Sequence, residues 1–354
     1  FPQDDDCILE YKDDDGQPVE PVYYAPIIPM ILVNGTKGIG TGFSSDVLSY
    51  NPRDIIACLK TRLKLKKEEQ ATFDIDNWGN ELEPHYRGFT GIVTKIAPTR
   101  YLIKGTYSRH PKDKKDCKIV VTELPIGYWT DDFKQHLEHL MEPKTASGKV
   151  NKVLIKDYDD NSTDVSVSFE ITFVNDALAK LEKDSYENGL YNGVEKLLKL
   201  YCFQNTTNMN LFDAQNKLVK YENTADIMYD YYEQRLVMYG RRRRKMISVL
   251  ERLLCLLTNK AKYIKENLDG TIDLRRKKRE EVNAMLQQKG YDQIDEDENY
   301  KYLVKMPMDS VTEEEVKKIM SEVDKHQTEM DRLQSITRER LWIEDLERLE
   351  KELL

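Results

Sequence analysis

The sequence has several absences that narrow its function. No apolar run reaches membrane-spanning length and no secretory leader pattern occurs, so we expect no membrane partner. No P-loop pattern occurs either, which argues against ATP binding by that route. The cysteines are odd in number, scattered and without a CxxC pair, which indicates free thiols of a reducing compartment and no zinc site: Cys7, Cys58, Cys117, Cys202 and Cys255.

No nucleophile with a matching base stands out. The histidines lack metal-ligand spacing: His85, His110, His136, His139 and His326. His136 and His139 lie three positions apart on a predicted helix, but no third ligand is evident, so we predict no metal site there. The pair Arg100-Tyr101 could suggest an activated tyrosine, but it falls within a predicted strand and is interpreted as sheet packing.

Charge is segregated along the chain, although the formal net charge is −9. Acidic residues collect at 4–6, 13–15 and 295–298, and basic residues at 241–245 and 275–279. A basic run is more often a solvated helix face than a binding site. Five consecutive cations nevertheless create a local field that attracts phosphate, so both interpretations stay open.

The first two thirds of the chain predict a mixed α+β domain with antiparallel sheet. A chain of 354 residues can form two or three domains. Residues 1–22 are acidic and interrupted by prolines, which indicates an extended lead-in. Asn51 is a plausible cap for a helix that begins at Pro52. Short β-branched segments predict strands at 91–96, 100–105, 118–122 and 164–173, with helices at 131–139 and from 174–176.

From about residue 222 the apolar period becomes helical. Apolar residues recur every three or four positions and form a seam along one helix face. This seam predicts a helix of more than forty residues, with Arg243 in a seam position and Gly270 at the helix end. Thr312 begins a capping-box pattern, and the helix that follows carries Val316, Met320, Val323 and Met330 on one face. Two such helices flanking an insert can form an antiparallel arm with a knob at its tip. Two ordinary bundle helices fit the periodicity equally well.

The most informative segment runs from Tyr24 to Ser44. An apolar run ends at Asn34-Gly35, and glycines then recur at positions 35, 38, 40 and 42. Ile39 stands between two of them, so its neighbours cover it poorly. It is either a core residue in a tight turn or a wedge, and aliphatic wedges can enter a base step and kink a duplex.

Two further segments are candidates for nucleic-acid contact. Trp129 follows a predicted strand, where a tryptophan is usually core but can also contact nucleic acid. Residues 199–208 are rich in amides and hydroxyls, which suit phosphate and sugar contacts as well as ordinary loop and cap roles.

Together these motifs resemble eukaryotic DNA topoisomerase II, a type IIA enzyme. The resemblance runs from Phe1 to Leu354, and its strongest part is residues 24–44 with Val19-Glu20-Pro21 before it and Tyr50-Asn51-Pro52-Arg53 after it. Further matching segments are 123–125 with 129–130, 208–213, 231–236, 306–307 and 341–346.

The resemblance implies a role for each segment. Residues 1–22 would be a lead-in from the winged-helix domain, 23–215 the tower with its DNA-bending loop, 216–270 the first coiled-coil arm, 271–308 the dimerising exit gate and 309–354 the return arm. Ile39 would intercalate and bend the double-stranded DNA. The other implied DNA-binding residues are Asn34, Gly35, Lys37, Gly38, Gly40, Thr41, Trp129, Lys199, Leu200, Tyr201, Cys202, Phe203, Gln204, Asn205, Thr206, Thr207 and Asn208.

The resemblance also implies what this chain does not carry. The catalytic tyrosine, the Mg²⁺-binding module and the ATPase module would lie before Phe1, so the segment would be inactive alone and would bind neither Mg²⁺ nor ATP. The enzyme would be a nuclear homodimer. Gly127 stands where relatives carry arginine, so a phosphate contact is either lost or supplied by another basic residue. Two other hypotheses remain. One is a non-catalytic coiled-coil dimer that scaffolds chromosomal DNA. The other is an unrelated enzyme with a glycine-rich nucleotide loop, although this sequence lacks the strand–GxGxxG–helix context that such a loop requires.

Overall fold

The computed structural model describes residues 1–65, 69, 73–74, 78, 82–111, 117–142, 153–174, 176–274, 277–294, 297, 299–307 and 311–353. The chain divides into two compact units. We call residues 28–58 and 71–230 the sheet unit, and residues 1–27, 59–70 and 231–354 the arm unit. Across the described ranges, no helix combines the length and apolar character that crossing a membrane requires.

The described strands are short and pair only in antiparallel fashion. They are β1 Tyr11–Asp14, β2 Gln17–Pro21, β3 Thr36–Ile39, β4 Ser44–Val47, β5 Ile92–Ala97, β6 Arg100–Lys104, β7 Thr106–Arg109, β8 Lys118–Glu123, β9 Ile155–Asp160, β10 Phe169–Phe173, β11 Ser185–Tyr186, β12 Tyr191–Asn192, β13 Tyr201–Asn205, β14 Met209–Phe212 and β15 Leu218–Tyr221. They form a four-stranded sheet of order β7-β8-β10-β9, a three-stranded sheet of order β13-β6-β5, and the hairpins β1-β2, β3-β4, β11-β12 and β14-β15.

The helices range from single turns to one of 45 residues. They are α1 Met30–Asn34, α2 Pro52–Leu63, α3 Thr130–Met141, α4 Ala177–Lys183, α5 Gly193–Leu197, α6 Thr224–Leu268, α7 Arg279–Gln288, α8 Lys301–Val304, α9 Glu313–Ser335 and α10 Arg338–Glu352. Two 3₁₀ helices occupy Gln3–Ile8 and Glu187–Gly189. The mixed α+β class predicted from the sequence is confirmed.

The core of the sheet unit lies where α3 packs on the four-stranded sheet. Phe133 and Leu137 of α3 are fully buried against Phe169, Ile171 and Phe173, which alternate along β10. Burial of such side chains is the main stabilising contribution to a fold of this kind. The predicted helix at 131–139 and the predicted strands at 91–96, 100–105 and 118–122 are therefore present, with bounds shifted by one or two residues.

The strand predicted at 164–173 is wrong in its first half. The chain reverses direction at residues 163–166, where the Thr163 amide donates to the Ser166 carbonyl (2.8 Å) and the Ser166 amide donates to the Thr163 hydroxyl (3.1 Å). Side-chain hydroxyls that bond nearby backbone amides favour turns over strands. The alternation therefore spans the loop of the β9–β10 hairpin as well as β10 itself.

In the arm unit, the predicted long helix and its partner are both present. α6 ends just before Gly270, which has a left-handed φ of 70°, and Thr312 caps α9 by accepting the Glu315 amide. Leu257 and Ile264 of α6 pack with Ile319 at the start of α9. Arg243, earlier in α6, donates to the carbonyls of Leu333 and Gln334 at the end of α9 (both 2.7 Å), so the two helices run antiparallel.

Two details of the arm differ from the sequence-based expectation. Met320, predicted in the seam, is exposed, because the neighbouring Ile319 is the residue that faces α6. The return segment is not one helix, since α9 ends at Ser335 and Thr337 caps the separate helix α10.

The predicted extended lead-in at 1–22 is also incorrect. A 3₁₀ helix is followed by the β1–β2 hairpin, whose turn is Asp15-Gly16, both with positive φ. This dipeptide is a strong hairpin signal that the sequence reasoning overlooked. Parts of four predictions lie outside the described residues: Asn175 in a helix start, Arg275 and Arg276 in a basic run, 295–296 and 298 in an acidic run, and 308–310 and 354 at segment boundaries.

Candidate nucleic-acid interface

The β3–β4 hairpin presents the glycine loop at the surface of the sheet unit. It begins where α1 ends at Asn34, and Gly35 takes a φ of 65° to reverse the chain. A Cβ at Gly35 would lie 2.7 Å from the carbonyl oxygen of Val47, so only glycine fits this crossing. The hairpin register pairs Ile39 with Ser44.

Ile39 is held out into solvent at the end of β3. Its side chain is 94% exposed, and every residue from 36 to 43 is exposed. The Gly40 amide donates to the Phe43 carbonyl (2.8 Å), and Gly42 turns the chain with a φ of 93°. Of the two sequence interpretations, the buried isoleucine is excluded. The hairpin carries a bare aliphatic group that is left open to solvent.

A groove at the base of the hairpin brings several predicted residues together. It has a volume of about 430 Å³ and is lined by Asn34, Gly35, Thr36, Lys37, Asp46, Val47, Leu48, Ser49, Tyr86, Ile126, Gly127 and Gln204. Lys37 is mostly exposed, and its ammonium lies 3.8 Å from the Asp46 carboxylate. Such an exposed pair is held weakly, so the lysine can turn to another anion.

Gly127 explains part of the open groove. Its φ is 83° and an added Cβ would meet no atom within 4 Å, so the wall of the groove has no side chain there. Lys37 is the basic side chain among the residues that line the same groove. Burial raises the pKa of Tyr86 to about 12, so its phenol adds no negative charge to the groove near neutral pH.

The segment 199–208 contributes an edge strand rather than a loop. β13 pairs with β6 from Tyr201 to Asn205, and Lys199 precedes it with a left-handed φ of 53° and an exposed side chain. The Arg100 guanidinium lies over the Phe203 ring at 3.9 Å, which confirms that Arg100-Tyr101 belongs to the sheet. At this sheet edge Tyr201 and Phe203 are half-buried and Lys199 is exposed. Aromatic and cationic groups in such a position suit contact with nucleic acid.

Two predicted DNA-binding residues in this segment are corrected by their burial. Leu200 is fully buried in the core of the sheet unit, and both its amide and its carbonyl are bonded within the fold. Thr206 is also buried. The Cys202 thiol donates to the Ile126 carbonyl (3.6 Å), and burial raises the pKa of this thiol, so it stays protonated. Lys199, Gln204, Asn205 and Thr207 keep side chains at least partly open to solvent.

Trp129 lies at the surface and not in the core. It occupies the position before α3, and its side chain is 72% exposed. Its ring and indole N–H are therefore open to contact with a partner. Trp129 is two residues from Gly127, which lines the groove.

The sequence reasoning missed the residues that hold the hairpin in place. Asn208 and Asn210 both donate to Ser44, to its hydroxyl (2.9 Å) and its carbonyl (2.8 Å). The Phe43 and Phe212 rings meet edge to face at 6.2 Å. Asn208, predicted to contact DNA, therefore already uses its side-chain amide within the fold. The repeated asparagines of Asn208-Met209-Asn210 are the one signal that could have suggested this role.

The basic run 241–245 is only partly a solvated face. Arg242 is 1% exposed and donates to Asp345 (2.7 Å) and Asp4 (2.6 Å), while Arg235 donates to Asp5 (2.6 Å). Arg243 is engaged at the end of α9, as described above. The phosphate-binding interpretation is left with the exposed Arg241, Arg244 and Lys245.

Opposing influences set the pKa values in this buried network. Burial acts to raise the pKa of Asp345. The charge of Arg242 and the hydrogen bonds that Asp345 accepts outweigh burial, so the pKa of Asp345 lies below its ordinary value. Burial dominates at Asp5, whose pKa is raised in spite of Arg235 and Arg242. Asp345 and Asp4 are the carboxylates that Arg242 binds directly.

The histidines, for which the sequence predicted no metal site, all lie in the described part of the chain. Its histidine, cysteine and carboxylate side chains form no group of three that could hold an ion. His136 lies 2.9 Å from the Leu197 carbonyl, and burial lowers its pKa.

Comparison with known proteins gives a consistent result. The family model of the DNA gyrase/topoisomerase IV A-subunit matches residues 1–347. DNA topoisomerase 2 of Penicillium chrysogenum is 32% identical over 98% of this chain and 22% of its own length, and that of Plasmodium falciparum is 33% identical over 99% and 25%. Human DNA topoisomerase 2-alpha is 30% identical over 100% of this chain and 24% of its own length.

A solved structure agrees with these relatives. The Plasmodium falciparum topoisomerase II DNA-binding, cleavage and re-ligation domain superposes with a TM-score of 0.80 at 32% identity, covering 100% of this chain and 47% of that one. The chain thus spans about a quarter of the length of the curated relatives it matches.

Proposed function

Because the chain belongs to the DNA gyrase/topoisomerase IV A-subunit family, we propose that it is the part of a type II DNA topoisomerase that holds and bends the duplex to be cut. The observation that carries this proposal is the 94% exposure of Ile39 at the tip of a glycine hairpin. The complete enzyme would relax and decatenate DNA by passing one duplex through a transient break in another.

The energetics favour a wedge. Bending a site of 20–30 base pairs strongly requires about 1–6 kcal/mol. Burying one isoleucine side chain contributes about 1.5–3 kcal/mol, and the basic and aromatic groups around the groove and β13 add backbone contacts. The wedge can thus offset much of the bend. Bending of this kind selects deformable DNA without reading base edges, so we expect weak sequence preference.

The chemical step belongs to other parts of the enzyme. Residues 34–41 and Trp129 would position the duplex together with the exposed or partly exposed Lys199, Gln204, Asn205 and Thr207. The catalytic tyrosine and the Mg²⁺- and ATP-binding modules would belong to other segments of the enzyme. As a topoisomerase of the eukaryotic type, the enzyme would act in the nucleus during chromosome segregation.

We further propose that residues 271–308 form the exit gate that joins two copies. This insert has a small core in which Val282, Leu286 and Leu303 are buried with two of its tyrosines and with Tyr263 of α6. The antiparallel helices α6 and α9 would act as a coiled-coil arm that carries it. Sedimentation velocity of the chain at about tens of micromolar should show a dimer, and a monomer with the insert folded would contradict the gate.

The wedge is tested by replacing Ile39 with alanine in the complete enzyme. Fluorescence transfer across a duplex labelled at both ends should show less bending, and DNA cleavage should fall, while the fold is kept because the side chain is exposed. Val165→Ala is the control, since Val165 is 96% exposed in the β9–β10 loop. Parental bending by the Ile39→Ala enzyme would remove the proposed role. It would favour the coiled-coil scaffold.

A further inference from the structure

The glycine loop that carries Ile39 cannot hold the wedge in one direction by itself. Gly38 and Gly42 have no atom within 4 Å of the position of a Cβ, so no side-chain packing stiffens the chain at those points. Glycine also has more backbone freedom than any other residue. A wedge that must separate stacked bases needs a support that resists the reaction force.

The β14–β15 hairpin provides contacts of the required kind. At Gly40 a Cβ would lie 3.8 Å from Cζ of Phe43, so the Phe43 ring lies against the backbone at the loop tip. The Phe212 ring then meets Phe43 edge to face. Phe212 is the last residue of β14 and is 62% exposed, so it contributes little to the core.

Polar contacts fix β4 to the same strand. The Asp46 amide donates to the Asn208 carbonyl (2.7 Å), and Asn210 donates to the Ser44 carbonyl and to the Asn208 side-chain oxygen (2.8 and 2.9 Å). β14 is itself anchored, because Met209 is fully buried and pairs with Tyr221 of β15. The Tyr221 hydroxyl donates to Asp230 (2.6 Å).

We propose that Phe212, acting through Phe43, is a positioning residue that sets the direction of the Ile39 wedge, and that the β14–β15 hairpin is the abutment against which the duplex is bent. This proposal rests on the proposed function and adds to it a supporting residue, Phe212, outside the loop that carries Ile39. Phe212 does not touch the base step. It acts on bending only through the stiffness of the loop.

The test compares Phe212→Ala with Ile39→Ala in the complete enzyme, using the doubly labelled duplex. We expect the ratio of bent to straight complexes to fall by about two- to tenfold in Phe212→Ala, which is the loss of one edge-to-face ring contact expressed as an equilibrium constant. Phe212→Leu should recover part of the ratio. The slope of log affinity against log salt should stay parental, because Phe212 carries no charge.

Asn210→Ala should lower the same ratio through the polar contacts, and Val165→Ala should not lower it. The outcomes separate the two proposals. If Ile39→Ala bends DNA normally, the proposed function and the abutment both fail. If Ile39→Ala bends DNA poorly but Phe212→Ala bends it like the parent, only the abutment fails. The abutment also fails alone if Val165→Ala reduces bending as much as Phe212→Ala does.

Discussion

Replacing Arg242 with methionine should destabilise the arm unit far more than replacing the exposed Arg244 of the same basic run. Arg242 is 1% exposed, and its two terminal nitrogens donate to Asp345 and Asp4. Its loss leaves the buried Asp345 carboxylate without its strongest partner. Breaking one side of a buried ion pair typically costs about 3–5 kcal/mol.

The structure places the expected loss near the lower end of that range. Asp345 would keep the hydroxyl of Tyr239 (2.8 Å) and a contact with Arg348, which is partly exposed. We therefore expect a loss of about 3 kcal/mol, equivalent to a local opening equilibrium constant about 150-fold larger. Hydrogen exchange followed by mass spectrometry on α10 measures this opening locally and needs no two-state unfolding.

Arg244→Met is the matched control. Arg244 is exposed and lies two positions after Arg242, so this variant removes an equal charge from the surface. We expect hydrogen exchange of α10 in this variant to stay near the parental rate. Adding Asp345→Leu to Arg242→Met should restore part of the protection, because the unpaired buried charge is then gone. Equal exchange in the two single variants would refute the argument that Arg242 is a structural residue.

Two further predictions concern the sheet unit. Lys199→Ala should reduce the slope of log DNA affinity against log salt by about 1 and leave stability unchanged. Leu200→Ala should keep that slope and lower the free energy of unfolding by about 2–5 kcal/mol. Salt titrations and urea unfolding of both variants check this, and equal slopes in the two variants would contradict it. The hydrogen bond from Lys134 lowers the pKa of Asp160 to about 2 from 3.8, so this carboxylate contributes stability above pH 3.8 that is lost as the pH falls to about 2. Urea unfolding of the parent and Asp160→Asn should therefore converge over that interval, and a constant difference down to about pH 2 would contradict the ion pair.

Local signals predicted the helices well. The seam and Gly270 gave the length of α6, and Thr312 gave the start of α9, because caps and helical periodicity depend on residues close in sequence. Alternation failed at 164–173 because hydroxyl-containing turn residues there share the period of a strand. Distinguishing Ile319 from Met320 in the seam required knowing how α9 is rotated against α6.

The sequence could not resolve features that depend on distant partners. Arg242 and Asp4 are far apart along the chain, so neither the acidic run nor the basic run revealed their pairing. From the sequence Ile39 fitted a core turn or a wedge, and its exposure in the folded chain excludes the core turn. Leu200 and Lys199 are adjacent in one polar segment, and only the fold shows that one is core and the other surface.

The most direct test of the wedge is the stacking of the bases that it is proposed to separate. A duplex carrying the fluorescent base 2-aminopurine at the bending site should brighten when the complete enzyme binds, because unstacking relieves quenching, and Ile39→Ala should remove most of that increase. An equal increase with the parent and with Ile39→Ala would show that the exposed isoleucine does not enter the duplex. It would contradict the account at its centre.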